Sequence, residues 1–142
     1  MGAANINALQ EYQQIRTVAG TAYANPHQLI SMLMEGALER IALAKGAMLQ
    51  DDVQEKGRLI GNTVTIVEGL RGCLDMEVGG ELSTNLSDLY EYMVRQLLHA
   101  NLENDPAVLD EVAGLMREIR SAWEEIPELN AETAVPEMLE DR

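Results

Sequence analysis

The sequence predicts an all-α fold: an antiparallel four-helix bundle preceded by a short N-terminal helical segment. Two observations support this. The chain is 46% hydrophobic but only 4% aromatic, with no Phe, and its apolar residues are mainly Leu, Ile, Val, Ala and Met, which favour helices over sheets. Apolar residues also recur at helical spacing in four long stretches with short connections, so consecutive helices should run antiparallel.

Prolines and capping residues mark where two of these helices begin. Asn25-Pro26 and Asp105-Pro106 each place a capping side chain before a proline, whose missing N–H is not needed in the first turn. Together with the apolar spacing, these marks predict helices over about 26–50, 53–75, 83–103 and 106–126. The expected caps of the second and third helices are Asp51 or Asp52, and Thr84 or Asn85.

The same patterns divide the chain into three parts. Residues 1–24 carry apolar side chains at every third position, which wind around a helix instead of forming one face and predict a loosely docked segment. Residues 25–127 form the predicted bundle. Residues 128–142 are rich in acidic residues and are expected to be a disordered tail.

Charge and composition exclude several classes of function. The net charge of −14 is unfavourable for binding nucleic acid or an anionic membrane surface. No apolar stretch approaches the ~20 residues that cross a bilayer, and the N-terminus lacks the pattern of a secretory signal. The single cysteine, Cys73, cannot form an internal disulfide, which fits a reducing compartment. We therefore expect a cytoplasmic protein with no nucleic-acid partner and no membrane insertion.

The sequence contains no recognisable catalytic or metal-binding pattern. His27 and His99 are the only histidines, and neither belongs to the Glu-x-x-His motif of a di-iron bundle. Phosphate-binding loops, zinc patterns and nucleophile motifs are missing as well, and Cys73 is expected to be an inert core residue. We predict a protein that is not an enzyme and has no cofactor or metal. A metal-dependent bundle enzyme is the alternative, which metal analysis would detect.

Two adjacent helices carry more apolar surface than one core requires. A bundle helix needs an apolar stripe of ~100°, whereas the stripe of the first helix covers about 240° and that of the second about 180°. Either these helices lie centrally, or they form an apolar groove for a partner helix. The second helix also contains Gly57, Gly61, Gly69 and Gly72, and tight packing of neighbouring helices is the expected reason for them.

One segment joins a Gly-Gly turn to a helix with two tyrosines. Its sequence, over residues 74–93, is LDMEVGGELSTNLSDLYEYM, and Gly79-Gly80 is expected to end one helix and turn into the next. The string resembles the signature of the flagellin-specific secretion chaperones, a Gly-Gly-Glu turn followed by Asn-Leu-x-x-Leu-Tyr-x-Tyr-Met. NPHQLISMLMEGAL and ANLENDPAVLDEV resemble two further motifs of that family. Met34 and Glu35 depart from it, since they replace an aromatic residue and Asp.

The resemblance implies a non-enzymatic chaperone of the bacterial cytoplasm. Its partner would be the C-terminal region of flagellin, which is disordered before assembly, and it would deliver flagellin to the flagellar export gate. An anti-sigma factor is the alternative, as a second and regulatory partner. Tyr12 falls where the family has an N-terminal tyrosine. The residues expected to bind the partner are Tyr12, Leu29, Ile30, Leu33, Ile41, Ile66 and Leu70.

Overall fold

The computed structural model describes residues 25–126. Four helices make up this range: α1 (Pro26–Leu49), α2 (Val53–Gly72), α3 (Met76–Glu103) and α4 (Pro106–Glu125). The predicted all-α fold is confirmed, and the helix bounds agree with the predicted ones to within a few residues everywhere except at the start of α3. The N-terminal segment and the acidic tail, together with Tyr12, lie outside the described residues.

The four helices close into a ring in which each one packs on two neighbours: α1 on α2, α2 on α3, α3 on α4, and α4 on α1. Side-chain bonds between neighbours show that they run antiparallel. Lys45, late in α1, donates to Asp110, early in α4, over 3.0 Å. Lys56, early in α2, donates to the carbonyl of Asn101, near the end of α3, over 3.0 Å.

Acidic and amide side chains cap the helices at their N-termini. The Asn25 side chain accepts a hydrogen bond from the N–H of Gln28 over 2.9 Å, and Asp52 and Asp105 cap α2 and α4 in the same way. The third helix differs from the prediction at its start, because a short helical turn before the kink at Gly80 continues into the long helix that was predicted from about residue 83. Asp75 caps α3 there by accepting from two N–H groups, each over 3.0 Å, so the helix begins one short turn before the glycine pair.

The glycine pair lies at a kink where two helical segments meet within α3, as the sequence predicted. Gly80 has φ 55° and ψ −127°, a conformation that essentially only glycine adopts. Gly79 needs to be small for another reason, because a Cβ there would collide with the Ser83 side chain. The Ser83 hydroxyl donates to the Asp75 carbonyl over 3.0 Å and so secures the turn before the bend. The two glycines therefore meet two separate requirements, one of conformation and one of space.

All four helices contribute to one apolar core. Its fully buried members include Ile60, Val67, Met93, Leu97, Val112 and Met116. Cys73 is exposed, so its expected place in the core was wrong: it follows the last turn of α2 as the C-cap, beyond the packed part of that helix. No helix among residues 25–126 is long and apolar enough to cross a membrane.

Candidate partner-binding surface

Most of the residues predicted to bind a partner lie in the core. Five of them are at most 6% exposed, namely Leu29, Leu33, Ile41, Ile66 and Leu70. Ile30 is half-buried and packs against the core, and Tyr12 lies outside the described residues. A side chain buried this deeply stabilises the fold first and can touch a partner only after its neighbours move. Their role in binding stays a prediction, and Ile30 is the most accessible of the six that the structure describes.

Nine large apolar side chains among residues 25–126 are exposed. They are Leu43 and Leu49 in the second half of α1, Val53 at the start of α2, Met76, Val78 and Leu82 around the kink of α3, Leu98 and Leu102 on the outer face of α3, and Ile126 after α4. Single exposed apolar residues are ordinary, whereas neighbouring ones mark interaction surfaces. The wide apolar stripe predicted for α1 is thus partly a surface feature, because it includes Leu43 and Leu49.

Leu98 and Leu102 were not among the predicted site residues. They are 53% and 80% exposed. On a helical wheel they lie about 140° and 180° from Met93, at the centre of the buried face of α3. A search for large apolar residues off the core stripe would have found both. The bend displaces a third leucine, since Leu82 continues the core stripe in sequence but is exposed in the structure.

A polar bridge, formed by side-chain hydrogen bonds, joins α2 to α3 near each end of their contact. At one end the buried Lys56 ammonium donates to the Asn101 carbonyl and to Asn104 Oδ1, each over 3.0 Å. At the other end Arg71 Nε donates to the Ser87 hydroxyl over 2.9 Å. These bridges hold the two helices side by side and define the ends of the surface that lies between them.

Small and apolar residues line the outer surface between these bridges, which we call the α2–α3 furrow. On the α2 side, Gly57, Gly61 and Val64 fall within about 60° of arc on the helical wheel. On the α3 side, Val94 and Leu98 are four residues apart and therefore lie on the same face of that helix. Val64 and Val94 are half-buried and pack against the core, so they form the floor, and Leu98 forms a wall.

The glycines of this furrow do not serve the packing that the sequence suggested. Apart from its chain neighbours and the local backbone of its own helix, a Cβ built at Gly57 or Gly61 would meet no atom of the described residues within 4 Å, and Gly72 is equally open. Each glycine costs a helix about 1 kcal/mol relative to alanine. The tight-packing interpretation was therefore wrong for these three positions. The surface of α2 above Gly57 and Gly61 is open.

Several charged and hydroxyl side chains on the surface of the bundle form hydrogen bonds with neighbouring side chains. Tyr92 of α3 donates to a Glu111 carboxylate oxygen of α4 over 2.6 Å, and this hydrogen bond raises the pKa of Tyr92. The Arg58 guanidinium hydrogen-bonds Glu55 and lowers the pKa of that carboxyl.

Among residues 25–126 no group of His, Cys, Asp and Glu side chains is placed to hold a metal ion. The surface offers apolar contact with polar edges, which suits protein binding.

Comparison with known proteins identifies the family. The model of the family described as flagellar protein FliS matches residues 6–130. A flagellar secretion chaperone FliSB of Pseudomonas aeruginosa is 50% identical over 121 residues, which cover 85% of this chain and 96% of that protein. The flagellar secretion chaperone FliS of Vibrio cholerae is 43% identical over 84% of this chain and 88% of its own. That of Salmonella typhimurium is 42% identical over 84% and 90%. Similarity of this extent shows that the chain belongs to the FliS family of flagellar secretion chaperones.

Proposed function

We propose that the protein is a cytoplasmic, non-enzymatic chaperone that binds the C-terminal region of flagellin. Bound in this way, flagellin would be kept from polymerising prematurely and would be handed to the flagellar export gate. Family membership supports the general role. The structural observation that carries the proposal is the set of large apolar side chains left exposed outside a complete core.

The physical requirement is a large apolar surface. A disordered segment loses conformational entropy when it becomes ordered on a partner, and burial of apolar area must offset that loss. A fully buried Leu or Ile contributes about 1.5–3 kcal/mol before such costs. Leu43, Leu98 and Leu102 are exposed in the free protein and can supply this area at once. The mostly buried predicted residues, such as Leu33 and Ile66, would shape the surface from beneath.

Binding to flagellin with and without its C-terminal region tests the proposal. Calorimetry should show saturable binding of intact flagellin and no measurable binding of flagellin truncated before the C-terminal segment. Equal binding of both forms, or of neither, would overturn the proposal. An anti-sigma factor that used the same apolar surface would compete with flagellin in this assay, whereas one bound elsewhere would not change the flagellin isotherm.

A further inference from the structure

We infer that the C-terminal residues 128–142 dock on the outer surface between α1 and α4, where Arg117 and Arg120 bind carboxylates of that segment. We call this surface the α1–α4 face. It is lined by Ser31 and Leu38 of α1 and by the two arginines of α4. The inference concerns a contact within the chain, so it does not depend on which partner the protein binds. Composition alone predicted a disordered tail, because the sequence could not show that a basic surface lies beside it.

Both arginines lie on the side of α4 that faces α1. Asp110 marks this side, because it accepts hydrogen bonds from Lys45 of α1 over 3.0 Å. Arg117 follows Asp110 by about two helical turns, so it lies on the same side. Arg120 falls between this side and the core face, which is centred on the buried Met116. Its side chain is accordingly half-buried, 32% exposed. Two guanidinium groups therefore lie within one turn of each other on the α1–α4 face.

Arg120 has a buried donor that lacks an acceptor. Its Nε is shielded from solvent and makes no hydrogen bond to the described residues. Glu124 Oε2 lies 3.8 Å away, which is too far for a hydrogen bond. Buried donors in folded proteins are nearly always bonded. Arg117 is exposed, and the ion pairs found among residues 25–126 involve other cations. A carboxylate from outside this range would satisfy Arg120 and pair with Arg117.

The segment that follows α4 has the charge that this surface attracts. Residues 128–142 carry five acidic side chains and one arginine. Residues 1–24 carry one acidic and one basic side chain, and a second copy of the chain would bring a net charge of −14 distributed over its whole surface. Attraction between the tail and the arginines is strongest within the Debye length of ~8 Å at physiological ionic strength. Charge therefore favours the tail over the N-terminal segment and over a second copy.

The tail also begins beside this surface and is long enough to cover it. Since α4 ends at Glu125, Arg120 and Arg117 lie about 8 and 12 Å back along the helix. An extended chain spans about 3.3 Å per residue, so residues 128–142 can reach ~50 Å. The carboxylates of Glu128 and Glu132 are the first that a returning chain brings to the arginines. The family match ends at residue 130, so most of the docked segment lies beyond the part shared with the family.

A spin label on the tail of the full-length protein tests the inference. Ala134→Cys carries the nitroxide, and Cys73→Ser removes the only other thiol. In NMR spectra the amides near the middle of α1 and α4 should lose their intensity through paramagnetic broadening, whereas those of the α2–α3 side should keep it. Combining Arg117→Gln with Arg120→Gln should restore the lost intensity, because neutral side chains no longer form charge-assisted bonds with carboxylates.

Arg95→Gln is the matched control, because it removes an exposed arginine of α3, far from the α1–α4 face. It should leave the broadening as it is. If Arg95→Gln restored the intensity as fully as the double variant does, general charge attraction would explain the result and the specific contact would be refuted. Flagellin binding is not read in this experiment, so its outcome leaves the proposed function untouched.

The remaining results also decide the inference. Full intensity throughout α1 and α4 in the labelled protein, or broadening that the double arginine variant retains, would overturn it. Broadening confined to the start of α3 or to residues 1–24 would place the tail elsewhere and overturn it as well. If the double arginine variant does not fold, the charges are removed from the tail instead: restored intensity then supports the contact, and retained broadening refutes it. That variant combines Glu128→Gln, Glu132→Gln, Glu137→Gln, Glu140→Gln and Asp141→Asn.

Discussion

Trp123 of α4 and His27 of α1 bind each other's main chain. The Trp123 indole N–H donates to the His27 carbonyl over 3.0 Å, and His27 Nε2 lies 3.1 Å from the Trp123 carbonyl. Since a carbonyl can only accept, Nε2 must carry the hydrogen. The two rings stack at 4.9 Å with planes 16° apart. The two hydrogen bonds and the ring stack, which we call the His27–Trp123 clasp, join the start of α1 to the end of α4. Residues 1–24 precede this point in the chain, and residues 127–142 follow it.

Loss of one clasp bond should destabilise the bundle measurably. Trp123→Phe keeps an aromatic ring for the stack but removes the N–H that the buried His27 main chain accepts. We expect a loss of about 1 kcal/mol in the free energy of unfolding, the usual value of one such hydrogen bond, measured by urea denaturation followed by circular dichroism. An unchanged urea midpoint would show that solvent replaces the bond without cost.

The bend in α3 should be intolerant of any side chain at Gly80. Gly80→Ala forces a Cβ into a conformation with φ 55° and ψ −127°, which costs on the order of 1–3 kcal/mol. Thermal unfolding should therefore occur at a lower temperature. Gly114→Ala serves as the control in the opposite direction, because its site is open and the substitution should stabilise α4. A Gly80→Ala variant that is as stable as the wild type would contradict this account of the bend.

The buried ammonium of Lys56 should matter more than that of an exposed lysine. Lys56→Met keeps most of the side-chain volume but leaves the Asn101 carbonyl and the Asn104 amide without the donor they share. The expected loss is about 1–3 kcal/mol of unfolding free energy. Lys45→Met breaks the exposed pair with Asp110 and should cost less than about 1 kcal/mol. Equal effects of the two substitutions in chemical denaturation would refute the distinction.

Two leucines should separate folding from binding. Leu33 is 1% exposed, so Leu33→Asp buries an unpaired charge and should cost about 3–5 kcal/mol, with loss of helical circular dichroism. Leu98 is 53% exposed, so Leu98→Asp should leave the spectrum intact and reduce binding to flagellin. A folded Leu33→Asp protein would show that this position is not core. A folded Leu98→Asp protein with full affinity would exclude its face of α3 from binding.

Burial of Tyr90 makes stability depend on pH in the alkaline range. Burial raises the pKa of Tyr90 to about 12, above the usual value of 10.0. Above pH 10 the unfolded chain therefore releases this proton while the folded protein retains it, and the stability that is fully present below pH 10 declines by about 1.4 kcal/mol per pH unit up to about pH 12. Urea midpoints measured from pH 9 to pH 11.5 should fall less steeply for Tyr90→Phe than for the wild type. Parallel curves would rule out Tyr90 as the source.

Local chemistry by itself determined the class of the fold and most helix ends. Asn25 and Asp105 cap the helices that follow them because capping needs only a side-chain oxygen two or three residues before the N–H group that it binds. The glycine pair was recognised as a break in the pattern for a comparable reason, since a positive φ is a property of one residue. The family motifs are continuous stretches and could likewise be read without the fold.

Only the tertiary structure decided which apolar residues reach the surface. Leu33 and Leu43 belong to the same wide stripe of α1, yet one is 1% and the other 55% exposed. Periodicity describes the circumference of a single helix, whereas burial depends on where the neighbouring helices lie, and those positions follow from the closure of the whole ring. The same holds for Gly61, whose role depends on the space above it, and for Leu98, which faces outward because the core lies on the other side of α3.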